Sequence, residues 1–267
     1  MSDLLEYLKK RHTQIGEQTT ALSLQCRKQA LHEWRVQVKK WRYALRMLGK
    51  IDPDFEAKTF LRPYKKLFAA AGAIREIQIQ RDLMLRSKSE LTEGFTHQYR
   101  KLLQHQYRSA RTQFSKVARE TALPSWQSLK KPLRAAVRQC QPLSCSWYFH
   151  QIIERISADW LNNREISDEA LHDLRIQLKK YDASKKLLSH TLRYEAPPLR
   201  FLPLEMEPLL EQLGAWHDYT IAAGRLQEDL LSPFFSEAQR LEGRRLLRRW
   251  QRAAERLRAS FHPGPHL

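Results

Sequence analysis

Glycine is scarce, with eight in 267 residues, and no alternating run reads as a half-buried strand, which argues against turn-rich sheet architectures. Long stretches are filled instead with Leu, Ala, Gln, Glu, Lys and Arg, so the chain is expected to be all-α. Cysteine is as sparse. Cys26, Cys140 and Cys145 are odd in number, lack metal-ligand spacing and follow no secretory leader, so a reducing cytoplasm is the expected location and no disulfide scaffold is expected. No apolar run is long enough to cross a bilayer. A Walker-type glycine loop and a Ser/His/Asp arrangement are missing, and Asp218 and Glu76 stand too isolated for a carboxylate pair. The chain is therefore expected not to be an enzyme and to need no metal or other cofactor.

Positive charge is what the sequence has in abundance. Lys and Arg number 47 against 29 Asp and Glu, a formal charge of +18. Solubility needs far less, and self-repulsion at this charge opposes folding, so an anionic partner is expected. The charge is most ordered between Ala30 and Arg46. Wound as a helix at about 100° per residue, His32, Arg35, Lys39, Arg42 and Arg46 fall within an arc of roughly 80°. Leu31, Trp34, Val38, Trp41, Leu45 and Leu48 form an apolar arc beside it. The row runs along about 21 Å of axis. Like charges three and four residues apart repel, so the row is self-destabilising unless something anionic lies along it, and an extended polyanion would relieve that cost.

The row occurs twice. Ala170-Leu171-His172-Asp173-Leu174-Arg175-Ile176-Gln177-Leu178-Lys179-Lys180 repeats Ala30 to Lys40 with His, Arg, Gln and both lysines in register, 140 residues later. Around it the plan of four helices repeats. The first copy reads as helices over about 3–24, 30–49, 54–83, where Pro63 can introduce a bend, and 91–120. The second reads as helices over 147–162, a helix carrying His172 capped by Ser167 or Asp168, 205–230 and 240–261. Residues 1–122 and 143–267 are thus expected as two halves of an internal duplication, joined by the proline-punctuated stretch 123–142. In the first half Arg100, Arg108 and Arg111 gather on one side of the fourth helix, a second basic stripe, and Gly72 suggests a close backbone approach.

His32-x-x-Arg35-Val36-x-x-Lys39-Lys40-x-Arg42, its second copy, and the later pairs around Gly72-Ala73-Ile74-Arg75-Glu76 and Gly214-Ala215-Trp216-His217-Asp218 resemble the CHAD family, the conserved histidine α-helical domain. The resemblance covers essentially the whole chain. It implies two four-helix bundles related by pseudo-twofold symmetry around a basic central pore that binds inorganic polyphosphate, with no catalytic activity. Carried over by position, His32, Arg35, Lys39, Lys40 and Arg42 occupy the motif in the first half, and His172, Arg175, Lys179 and Lys180 in the second. Arg46, Lys65, Arg75, Arg100, Arg108, Arg111 and Lys186 complete the candidate polyphosphate-binding set. Lysine stands at four positions where the family more often has arginine, which bears on fork geometry more than on binding. Asp182 replaces the cation that Arg42 provides, and His217 stands where Arg75 does, so the second half is expected to bind less strongly. The free-standing form is expected, with association to polyphosphate granules.

Other readings stay open from the residues themselves. His32 and His172 read as phosphate donors or as capping or packing residues, whereas neither has a ligand partner at i+3 or i+4 for a metal. The arginine-rich last helix could lie on a membrane, but its apolar face has ordinary core width, so bundle packing is expected. Seven tryptophans could stack on nucleic-acid bases, yet most sit on apolar faces. A nucleic-acid binder is the alternative function, and a metal-dependent phosphohydrolase the second, which would need acidic ligands beside the basic rows.

Overall fold

The computed structural model describes residues 2–161, 167–202 and 205–261; the expected helix end at Asn162 and the tail 262–267 lie outside them. The described residues form α1 (Ser2–Leu24), α2 (Lys28–Ile51), α3 (Ala57–Arg86), α4 (Glu93–Glu120), α5 (Trp126–Arg138), α6 (Pro142–Leu161), α7 (Asp168–Leu192), α8 (Met206–Asp229) and α9 (Glu237–Ala259), with a 3-10 turn at Lys88–Glu90. No strand occurs among the described residues. The chain is all-α.

Local chemistry sets several helix ends. α2 buries the whole of its expected apolar arc, Leu31, Trp34, Val38, Trp41, Leu45 and Leu48. It stops two residues after Gly49, where a Cβ would stand 2.9 Å from the Ala57 Cβ and 3.0 Å from the Phe55 carbonyl oxygen. Only glycine leaves room for the chain to turn back so tightly. Ser167, one of two expected caps, accepts from the Ala170 N–H at 3.2 Å and opens α7. Pro63 lies within α3.

The stretch 123–142, expected as a proline-broken joint, contains α5. The Ser125 hydroxyl caps it, accepting from the Ser128 N–H at 3.3 Å, and Leu129, Leu133, Ala136 and Val137 are buried at helical spacing despite Pro132. Burial of one apolar face outweighs the hydrogen bond that the proline forgoes.

Two compact units are distinguished, and each draws on both sequence halves. One comprises Met1–Ala71, Gln113–Asn162 and Ile176–Leu202; the other comprises Gly72–Thr112, Asn163–Arg175 and Pro203–Leu267. In the first, α2 packs against α1, α5 and α6. Trp34 Nε1 donates to Thr19 Oγ1 at 2.9 Å, and the Thr19 hydroxyl donates to the Ile15 carbonyl at 2.6 Å. His12 is buried between the rings of Trp41 and Trp126, with Nε2 2.8 Å from the Pro124 carbonyl oxygen. Burial lowers its pKa and the Pro124 contact partly opposes that shift. Trp147, expected on an apolar face, is instead 52% exposed, because the buried side of α6 runs through Tyr148, Phe149, Ile152 and Ile156.

In the second unit α8 packs on α9, around Phe95, Tyr99, Leu226, Phe235, Leu246 and Trp250. Gly243 belongs to that contact, since a Cβ there would lie 2.3 Å from Leu230 Cδ2 and 3.1 Å from Phe95 Cε2. A reciprocal pair of bonds between Ser236 and Gln239 caps α9. The buried Asp229 carboxylate accepts from Gln80 Nε2 at 3.0 Å and Gln106 Nε2 at 2.6 Å. Burial and this carboxylate push the Tyr99 hydroxyl well above its ordinary pKa.

Candidate functional site

α2 supplies the frame of the candidate site because its apolar arc is locked into the first unit, which fixes where every remaining residue of the helix points. Arg35 and Arg42, two turns apart, both lie over the ring of Phe68 on α3, with guanidinium carbons 4.3 Å and 4.7 Å from its centroid. Arg35 also donates to the Phe68 carbonyl at 3.1 Å. Stacking on the ring holds both forks in place. Burial, and then Arg46, lower the Arg42 pKa. His32 and Lys39, on the same arc, are exposed.

Cations from two other helices converge on Lys180 of α7. This half-buried ammonium of α7 lies 5.4 Å from the Tyr148 ring centroid. Burial, then Arg155 of α6 and Lys50 and Arg46 of α2, lower its pKa to about 8. Burial and the three neighbouring cations act on this ammonium in the same direction, so an anion placed beside it is favoured.

Lys40 joins a different group. Adjacent residues on a helix stand about 100° apart, and Lys40 faces a cleft of about 850 Å³ whose lining includes Arg11 of α1 and Lys186 of α7. Burial, then Arg11 and Lys186, lower its pKa. Asp182, expected to weaken the second copy, forms an ion pair with Lys186 at 2.9 Å. Of the remaining candidates in this unit, Lys65 is exposed on α3 and Lys179 is half-buried on α7.

The other six candidates belong to the second unit. Arg75 is half-buried, Arg100 and Arg108 are exposed, and Arg111 lies 5.8 Å from the Tyr107 ring centroid. His172 and Arg175 are half-buried near the start of α7, and the His172 and His217 rings are 5.5 Å apart. Several arginines of α9 are taken up by carboxylates: Arg244 with Glu237 at 2.7 Å, Arg258 with Asp168 at 3.3 Å, and Arg249 with Glu90. Glu76 forms an ion pair with Arg225 at 3.0 Å.

Reading the sequence missed Lys50, Arg155 and Arg11 as partners, and Phe68 as a platform. The run Lys9-Lys10-Arg11 was the available signal for α1; nothing in the sequence ties Phe68 to residues 33 and 26 positions earlier. No group of three or more His, Cys, Asp or Glu able to hold a metal occurs among the described residues. No described helix is long and apolar enough to cross a membrane.

The CHAD domain matches residues 6–227 of this chain, which leaves α9 outside the match. The structure is similar to the crystal structure of the CHAD domain from the plant Ricinus communis. The TM-score is 0.70 at 18% sequence identity, over 97% of this chain and 90% of that one. No protein of curated function matches in sequence. With more than four-fifths of its length matched and the same all-helical fold, the chain belongs to the CHAD family.

Proposed function

We propose that the chain binds inorganic polyphosphate without transforming it, the basic rows of the two sequence copies serving the same ligand. One observation carries the proposal. Lys180 of α7 shares its surroundings with Arg155 of α6 and with Lys50 and Arg46 of α2, and burial first, then these three cations, lower its pKa to about 8. Such crowding opposes folding and is relieved by a ligand carrying a negative charge at each repeat of its chain. Arg35 and Arg42, stacked on Phe68, extend the positive face of α2. The Arg35 and Arg42 guanidinium groups offer paired N–H donors to phosphate oxygens, and the lysines act as point charges. Charge neutralisation would dominate the affinity, so it should fall steeply with salt.

Titrating the protein with polyphosphate of defined lengths tests this reading, with chain length checked after incubation with and without Mg²⁺. Long chains should bind far more tightly than orthophosphate, emerge uncut, and bind less well once Arg46 and Lys180 are replaced by Gln. Shortened chains would point to a phosphohydrolase. Equal affinity for orthophosphate would remove the polyanion reading.

A further inference from the structure

We propose that the cleft between α1, α2 and α7 of the first unit is a second binding site, for a small phosphorylated ligand whose body carries hydroxyl or amino donors. Nucleotides and phosphorylated polyols have that chemistry. The site does not rest on polyphosphate binding. Lys40 and Gln37, which line the cleft, stand roughly 120° and 180° around α2 from the middle of the row running from His32 to Arg46. The two faces cannot bind the same phosphate group.

Size and charge agree with a small ligand. The cleft encloses about 850 Å³, within the range of about 300–1,000 Å³ that small-molecule sites occupy. Three helices each bring a cation to it, Arg11, Lys40 and Lys186. The Arg11 guanidinium is set in place before any ligand arrives, since it donates to Gln37 Oε1 and lies 4.7 Å from the Tyr7 ring centroid. Burial first, and then the other two cations, disfavour the charged form of Lys40, so an added anion there is favoured.

The rest of the lining decides what the anion is attached to. Asp3, Glu6 and Asp182 also face the cleft. A bare polyphosphate has only negative acceptors, so it would be repelled by the carboxylates. Phosphates joined to a hydroxyl- or amine-bearing body match both parts: the phosphates meet the cations, and the body donates to the carboxylates. Tyr7, Ala183 and Leu187 supply apolar wall for that body.

Calorimetric titration of the full chain with ATP, with myo-inositol 1,4,5-trisphosphate, which keeps three free hydroxyls, and with inorganic triphosphate tests the site. ATP or the inositol phosphate should bind at least tenfold more tightly than inorganic triphosphate, and which of them does so identifies the body. Arg11→Gln should weaken that binding about tenfold, the loss of one charge-assisted hydrogen bond. Lys10→Gln, at an exposed position of α1 lining the cleft, should weaken it severalfold and leave polyphosphate affinity unchanged. The proposal is overturned if neither organic phosphate outdoes inorganic triphosphate, or if both variants keep wild-type affinity while circular dichroism shows them folded. A chain that takes ATP but no polyphosphate would keep this site and remove the function proposed above; the reverse outcome would do the opposite.

Discussion

Raising the pH through the titration of Lys180 should loosen polyphosphate binding. In the free protein this ammonium holds its proton only to about pH 8, against an ordinary lysine value of about 10.4. A bound polyanion supplies opposite charge and draws the value back up. Binding therefore takes up a proton in the window from about pH 8 to about pH 10, and affinity falls as pH rises through it. Below pH 8 both forms are protonated and this group contributes no slope. Full restoration would cost about tenfold in affinity per pH unit, and solvent screening at a half-exposed ammonium brings the expectation to about threefold. The assay is calorimetry at pH 7.5, 8.5 and 9.5 in buffers of different ionisation heat and equal ionic strength, which counts the protons taken up. Lys180→Met should bind less tightly at pH 7.5 and lose most of the slope. A flat profile in the wild type, or an unchanged slope in Lys180→Met, would refute the electrostatic reading. The ligand-free protein supplies a second check on the sign. Unfolded Lys180 binds more protons than native Lys180 in this window, so folding stability from this group rises with pH above 8 and should do so less in the variant.

Replacing Arg35 and Lys39 with Ala should weaken polyphosphate binding about tenfold per charge, whereas replacing Arg245 and Arg248 of α9 should change it less than twofold by the same titration. Equal losses per charge would indicate diffuse attraction in place of a site. His12 has a depressed native pKa, so the unfolded chain takes up its proton first as pH falls below about 6.5. Thermal melts should show stability lost from pH 7 toward pH 5, and His12→Gln, which keeps an N–H for the Pro124 carbonyl, should flatten that loss. Gly243→Ala should destabilise by about 1–3 kcal/mol in denaturant titrations, because the new methyl overlaps Leu230 and presses on Phe95. An unchanged midpoint would mean that α8 and α9 pack less tightly there than the distances indicate.

How far the sequence could be read depended on range. α2 was legible to its apolar residues because one strong period of 3.6 fixes both the buried arc and the charged one. α5 was not, because Pro124, Pro132 and Pro142 outweighed the spacing of Leu129, Leu133, Ala136 and Val137. The rows of His32 and His172 could be seen as repeats. Their surroundings could not: Arg46 meets Lys180, and Lys40 meets Arg11 and Lys186, only through packing of helices far apart in sequence. Asp182 read as a lost cation, yet four residues separate it from Lys186, and the i,i+4 pair was there to be seen. Trp147 was placed inward by residue type, although helical phase put Tyr148 and Ile152 on the buried side of α6.

Competition between polyphosphate and duplex DNA at matched salt tests most directly that the basic rows form a site for a phosphate chain and not a general polyanion surface. Protein saturated with labelled polyphosphate at about 0.15 M salt, where exposed charges are screened beyond about 8 Å, would be challenged with excess duplex DNA and with unlabelled polyphosphate. The account predicts displacement by polyphosphate and retention against DNA in equal phosphate excess. Displacement by DNA at the same phosphate concentration would contradict it and favour a nucleic-acid-binding protein.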